Sequence, residues 1–262
     1  MRKVERNGII LLEFENLGRE SSLVHGVTTR YRSDGAEFNV SVNLRKEGAV
    51  LRNRVALCES LSLRLEDWIA AEQIHGDRVA VVGSAERGRG SRYRKDAVGG
   101  ADGLISAEAG LVLATFAADC PLVVLYESEK QIIGSIHSGW RSTVAGIVPK
   151  AVTEIERLGG SAARLRVGVG PCICRRCFEV REDFVERLRD SWPRGLAFLD
   201  GNRKLFRFDL REALRTQLLD SGVRAENIEF AEFCTFETDW LFSYRRDGPN
   251  AGGFAAFICR KQ

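Results

Sequence analysis

No charge of either sign dominates this chain: 39 basic residues stand against 36 acidic ones, a net charge of +3 over 262 residues. Such balance supplies no electrostatic footprint for nucleic acid or for an anionic membrane, so small molecules are the expected partners. Long apolar runs are missing too. None approaches the roughly 20 residues needed to cross a bilayer, and the start Met1-Arg2-Lys3-Val4-Glu5-Arg6 lacks the apolar segment of a signal peptide, so a cytoplasmic location is expected. Seven cysteines at irregular spacing do not make the dense disulfide framework of a small secreted domain. In a reducing compartment they point to metals or to chemistry. No linker, repeat or low-complexity tract divides the chain, and residues 1–262 read as one domain. Histidine is scarce, with only three.

What is present is a succession of short apolar runs: Ile9 to Phe14, Val79 to Val82, Leu111 to Ala117, Leu122 to Tyr126, Ile132 to Ile136, Arg166 to Val169 and Phe254 to Ile258. Their length predicts strands. Between them lie helical patterns. One begins near Ser142 and carries Val144, Ile147, Val148, Ala151, Val152, Ile155 and Leu158 on one face before Gly159-Gly160. Pro149 interrupts it, which predicts a kink or a later start. Asp209 followed by Glu212 announces a second helix, Arg181 to Arg189 a third, and Val50 to Leu61 a fourth. Strands and helices are mixed, giving an α+β fold. The glycine-rich, basic stretch from Glu86 to Gly100 reads as a solvated loop, with a lid over an anionic substrate as the functional alternative.

Three residues at the ends of apolar runs make a candidate ligand set for a transition metal: His75, Cys120 and His137. Nothing obvious fills a fourth place, and a site with three protein ligands is the catalytic pattern for zinc rather than the structural one. His75 lies beside Gly76, which permits a sharp turn. Cys120 lies in Ala118-Asp119-Cys120-Pro121 between two apolar strands, where Asp119 needs a partner such as an arginine or a metal-bound water. His137 opens His137-Ser138-Gly139-Trp140-Arg141, a strand leading to a helix N-terminus, where backbone donors and Arg141 suit an anion. The same Cys120 and His137 also suit a metal-free cysteine hydrolase.

Five motifs, in order, carry a resemblance. Gln73-Ile74-His75-Gly76, Ala118-Asp119-Cys120-Pro121, His137-Ser138-Gly139-Trp140-Arg141, Gly170-Pro171 with Cys177-Phe178-Glu179-Val180, and Phe242-Ser243-Tyr244-Arg245-Arg246-Asp247-Gly248 resemble the family once labelled polyphenol oxidase or laccase-domain, whose type is the bacterial YfiH proteins. The resemblance implies a layered alpha-beta-beta-alpha sandwich with mixed sheets, and Zn2+ held by His75, Cys120 and His137. It also implies a purine nucleoside enzyme that phosphorolyses adenosine, inosine, guanosine and methylthioadenosine and deaminates adenosine to inosine. The oxidase label fails on composition: a blue-copper site takes two histidines and a cysteine, and oxygen reduction needs further imidazoles that three histidines do not supply. Adventitious copper in the same ligand set is compatible with these donors.

Within that reading Asp119 is the proton carrier, and Arg141, Arg45 and Arg245 form a phosphate clamp with Arg141 first. Gln73 and Asn43 hydrogen-bond base or ribose, Tyr244 stacks on the purine, and the protein has room to form a homodimer. The chain departs from the family at Arg45, where a glycine is customary, at Ser138 and Ser142, and at Cys172 and Cys174, where small residues are usual. Cys172, Cys174 and Cys177, with Cys234 or Cys259, have the makings of a second metal site. The order Pro171-Cys172-Ile173-Cys174 misses the zinc-deaminase signature by one residue, and no His-x-Glu occurs, which argues against a cytidine-deaminase fold. A non-enzymatic module stabilised by zinc completes the alternatives.

Overall fold

The computed structural model describes residues 1–41, 47–202 and 205–261. Asn43 and Arg45 lie outside them. The first of two large sheets runs in the order β1 (Arg2–Arg6), β2 (Ile9–Glu13), β3 (Leu23–Thr28), β15 (Phe254–Arg260), β7 (Val112–Ala117), β4 (Trp68–Ala70). The second runs β14 (Ile228–Phe230), β10 (Leu165–Val169), β8 (Leu122–Glu127), β9 (Ile132–His137), β6 (Gly103–Ser106), β5 (Val79–Val81). Both are mixed: β4 lies parallel to β7, β14 to β10 and β5 to β6, and the other pairs are antiparallel. A small third sheet joins β11 (Glu179–Val180), β13 (Leu205–Phe208) and β12 (Leu199–Asn202).

Alternation along the central strands assigns the layers. Leu122, Val124 and Tyr126 of β8, Leu113 of β7 and Phe254, Ala256 and Ile258 of β15 share one apolar cluster between the two large sheets. The intervening residues face outward: Val123 and Leu125 pack with α3 (Ile147–Arg157) and α5 (Leu210–Asp220), whereas Val112, Ala114, Phe116 and Phe257 pack with α1 (Glu47–Ser60). Strands buried on both faces read as continuous apolar runs, which is why period-two patterning is faint in the sequence. The result is the helix-sheet-sheet-helix layering that the resemblance implied.

Pro149 produces a later start. A short helix α2 (Trp140–Val144) ends before Gly146, whose φ of +77° breaks the chain direction, and α3 begins at Ile147. Pro149 thus occupies the first turn of α3, where an amide hydrogen has no intrahelical acceptor anyway. Asp209 caps α5 by accepting from the Glu212 amide (3.1 Å). The expected third helix is α4 (Glu182–Ser191), whose Phe184 packs on Phe208 of the small sheet and on Trp140.

The Glu86 to Gly100 stretch is pinned instead of free. Arg54 of α1, 1% exposed, donates to the carbonyls of Gly90 and Ser91 (2.8 Å each) and of Val40 (2.7 Å). A buried guanidinium requires such acceptors, so the loop is part of the cation's solvation shell. None of its residues lines the cavity described below.

Candidate metal centre and cavity

The three predicted ligands converge. His137 is the last residue of β9, and its cross-strand partner Leu122 begins β8 directly after the Asp119-Cys120-Pro121 junction, where the chain passes from the first sheet to the second. His75 follows β4 on a turn with φ values of +58° at Gln73 and +62° at His75. Donor atoms of His75, Cys120 and His137 all lie within 4.8 Å of one another, and the two imidazoles stand nearly perpendicular, 4.9 Å between centroids.

One residue not singled out in the sequence holds this arrangement. Asp102, fully buried, accepts from the amides of Ile74 (3.0 Å), His75 (3.0 Å) and Gly76 (2.8 Å), and its Oδ1 lies 2.8 Å from His137 Nδ1. A left-handed turn aims successive amides at one anion, and this carboxylate both shapes the His75 turn and orients the His137 ring. With Nδ1 so engaged, Nε2 is the free donor of His137, as in carboxylate-histidine-metal triads. Burial works to raise the Asp102 pKa, but His137 and the amides hold it below the usual carboxylate range. The signal in the sequence is a lone carboxylate in Gly100-Ala101-Asp102-Gly103 at the mouth of a buried strand, as Asp119 is between two.

Electrostatics bind the cluster further. Burial alone would raise the Cys120 thiol, yet hydrogen bonds from His137 and His75 bring it down to about 7. For His137, burial acts to lower the pKa and is overcome by Asp102 and Cys120, which raise it. Gly139 closes the cradle. A Cβ there would meet Cys120 Sγ at 3.1 Å, His75 Cδ2 at 3.2 Å and His137 Cε1 at 3.4 Å. Two imidazoles and a thiolate with no fourth protein donor in the group suit a transition metal with an open coordination position.

These residues border a cavity of about 360 Å³, a size typical of small-molecule sites. Phe116, Trp140, Ile173, Phe178 and Leu210 give it apolar walls, while Asp119, Tyr244 and Arg245 contribute polar groups. Asp119, at φ +93°, accepts from Thr235 Oγ1 (2.6 Å) and from the Arg245 amide (2.7 Å). Arg245 donates its guanidinium to the carbonyls of Glu179 (3.0 Å) and Cys177 (3.4 Å). Tyr244 is 54% exposed. Gln73 also lines the cavity, but its carboxamide pairs with both backbone groups of Phe116 (2.6 and 2.8 Å), extending the β4–β7 ladder. Only one Nε2 hydrogen and one Oε1 lone pair remain for a ligand. Arg141 is exposed, outside the cavity lining, and stacks 4.2 Å over the Trp140 ring.

A second cluster gathers Cys174, Cys177, Cys234 and Glu237, whose donor atoms also lie within 4.8 Å of one another. Cys172 and Cys259 are not in it. Cys172 is buried against Arg211 Nε (3.4 Å), and Cys259 sits in the outer core beside α1.

A family model described as "Multi-copper polyphenol oxidoreductase laccase" matches residues 24–261. The chain belongs to this family. Among its members, the protein named purine nucleoside phosphorylase YlmD of Geobacillus stearothermophilus is 34% identical over 91% of this chain and 90% of its own length. Its crystal structure superposes with a TM-score of 0.90, covering 99% of this chain and 98% of that one at 31% identity. The protein named adenosine deaminase RL5, from an unknown prokaryotic organism, is 33% identical over 96% of this chain and all of its own. Bacillus licheniformis YfiH gives a TM-score of 0.88 at 27% identity, covering 97% of each chain. The family's copper-oxidase description does not match the donors present. His25, the third histidine, lies against the Phe14 backbone (3.1 Å) and is in neither cluster, which leaves two imidazoles for a multi-copper centre.

Proposed function

We propose that this chain is a zinc-dependent purine nucleoside enzyme. It phosphorolyses adenosine, inosine, guanosine and methylthioadenosine to base and (methylthio)ribose-1-phosphate, and deaminates adenosine to inosine in the same cavity. The observation that carries this reading is the three-donor cluster His75, Cys120 and His137 opening on an apolar cavity, in a chain that matches relatives named for both activities along nearly its whole length. A zinc ion held by those three residues would supply Lewis-acid chemistry toward whatever occupies its remaining position.

The other roles fall to the chain's own side chains. Asp119, fixed by Thr235 and the Arg245 amide beside the cluster, takes the proton that the attacking water loses and passes it to the departing amino group in deamination. In phosphorolysis the attacking dianion needs a cation; among the described residues Arg245 lines the cavity, with Arg141, stacked on the Trp140 ring, as a second. Tyr244 stacks on the purine, the unused valences of Gln73 meet base or ribose, and Asn43 and Arg45 keep the same expected role at the ribose and phosphate. Apolar walls exclude water and strengthen each of these interactions.

The test is incubation of purified protein with adenosine, with and without phosphate, followed by chromatography. Adenine with ribose-1-phosphate marks phosphorolysis, and inosine marks deamination. Chelation should abolish both and zinc restore them; no product at any metal loading would remove the proposal. One observation favours a second reading: the Cys120 thiol, lowered to about 7 beside two imidazoles, is a competent nucleophile. A cysteine hydrolase would survive chelation and be blocked by alkylation of Cys120.

A further inference from the structure

We propose that Cys174, Cys177, Cys234 and Glu237 form a second metal site, structural in kind, which takes a thiophilic divalent cation such as zinc. Two turns of identical spacing face each other. Cys174-Arg175-Arg176-Cys177 is closed by the Cys177 amide donating to the Cys174 carbonyl (3.0 Å), and Cys234-Thr235-Phe236-Glu237 by the Thr238 amide donating to the Cys234 carbonyl (3.0 Å). Each turn therefore presents its first and fourth side chains together, as paired zinc knuckles do. Between the turns the Cys174 amide donates to Cys234 Sγ (3.3 Å), a bond that favours the thiolate, and a parallel bridge joins Cys172 to Cys234. Tetrahedral zinc with sulfur at about 2.3 Å places its ligand atoms roughly 3.8 Å apart. The four donor atoms, already within 4.8 Å, need only a small contraction.

Four protein donors leave no open position, which is the structural pattern and the opposite of the histidine centre. The Cys177 thiol reaches Glu237 Oε1 at 3.4 Å, and that carboxylate is otherwise held by Arg176 at 3.0 and 3.2 Å. Binding releases the thiol protons to solvent, and Arg176 offsets part of the negative charge that three thiolates and a carboxylate leave around a divalent ion. The two turns also carry cavity parts: Ile173 and Phe178 flank the first, and Thr235 in the second holds Asp119. An ion here braces one wall of the cavity.

The test uses the whole chain carrying Cys120→Ser, which removes the thiolate from the histidine centre, reduced and titrated with Co2+ without oxygen. The expected result is a sulfur-to-cobalt charge-transfer band that saturates at one equivalent, disappears when Cys177→Ser is added, and is displaced by Zn2+. Glu237→Gln should weaken cobalt binding about tenfold while the band persists. A folded Cys120→Ser protein without that band, or a band that survives Cys177→Ser, overturns the proposal. Should Cys177→Ser not fold, alkylation mapped by mass spectrometry on the otherwise unaltered protein decides. Cys174, Cys177 and Cys234 should be protected by zinc and exposed by a chelator, whereas equal modification in both states refutes the site. Neither readout depends on nucleoside turnover.

Discussion

The histidine centre and the thiol-rich turns have donor sets of similar compactness but opposite support. His137 and Cys120 stand at strand ends in the packed interior, and a single buried carboxylate, Asp102, fixes both the His75 turn and the His137 ring. Cys174, Cys177 and Glu237 sit on turns nearer the surface, linked by backbone bonds, by sulfur contacts at 3.3 and 3.4 Å and by an exposed Arg176 pair. A preorganised set with a place to spare suits chemistry, because its geometry does not depend on the ion. A set held by weaker contacts, which an ion would tighten, suits bracing. The contrast teaches that ligand identity alone does not assign a role; what holds the ligands when they are empty does.

Removing a ligand from the histidine centre is the strongest way to break that contrast. His75→Ala should reduce turnover of adenosine by more than the roughly 10–100-fold typical of losing a supporting partner. Its thermal unfolding should stay close to that of the parent, because His75 is exposed and on a turn. A fully active His75→Ala protein would show the ligand to be misassigned. Asp102→Asn comes next. It places an amide donor among three backbone donors, so metal affinity at the histidine centre, followed by competition with a chelator, should fall about 10–100-fold. Stability should fall by about 1.5–3 kcal/mol from lost charged hydrogen bonds. Unchanged affinity together with unchanged stability would mean that Asp102 does not organise the centre.

Gly139→Ala sharpens the comparison by geometry alone. Gly139 has φ −60° and ψ 167°, a conformation any residue adopts, so the new methyl group carries no backbone strain. Its only effect is the 3.1 to 3.4 Å contact with the three ligands. Turnover should drop roughly tenfold, since sub-ångström misplacement is felt at a reacting centre, with unfolding temperature and the thiol-rich cluster unaffected. Parent-like kinetics would mean that the cradle yields without consequence.

Much of this was legible in the sequence, for reasons that differ by element. Strands such as Leu122 to Tyr126 are buried on both faces and announce themselves by apolar composition, and Asp209 with Glu212 is a local capping pattern that needs no tertiary context. His75, Cys120 and His137 were visible because they interrupt such runs. The short strands β4 and β6 were not, since three or four residues carry too little pattern until β7 and β9 pair with them. Asp102 was missed because its four partners lie 26 to 35 positions away. The fourth donor of the thiol-rich cluster was illegible likewise: Glu237 is one exposed acid among 36 acidic residues until the fold turns it toward Cys177. The pinned Glu86 to Gly100 loop depends on Arg54, a residue whose burial no local pattern signals.

The smallest expected effect joins the two regions. Thr235 follows Cys234 directly and donates 2.6 Å to Asp119 Oδ1, so its side chain connects the thiol-rich turn to the cavity carboxylate. Thr235→Val keeps the shape and removes the hydroxyl, leaving Asp119 with the Arg245 amide as its remaining partner. A hydrogen bond to a charged group is worth about 1.5–3 kcal/mol, part of which solvent entering the cavity restores. If Asp119 carries the proton, the rate of deamination should fall a few-fold, because its carboxylate loses the donor that aims it. Metal content at both clusters should stay as in the parent. Deamination at the parent rate would separate Asp119 from proton transfer and leave it as the strut that ties the two cavity walls together.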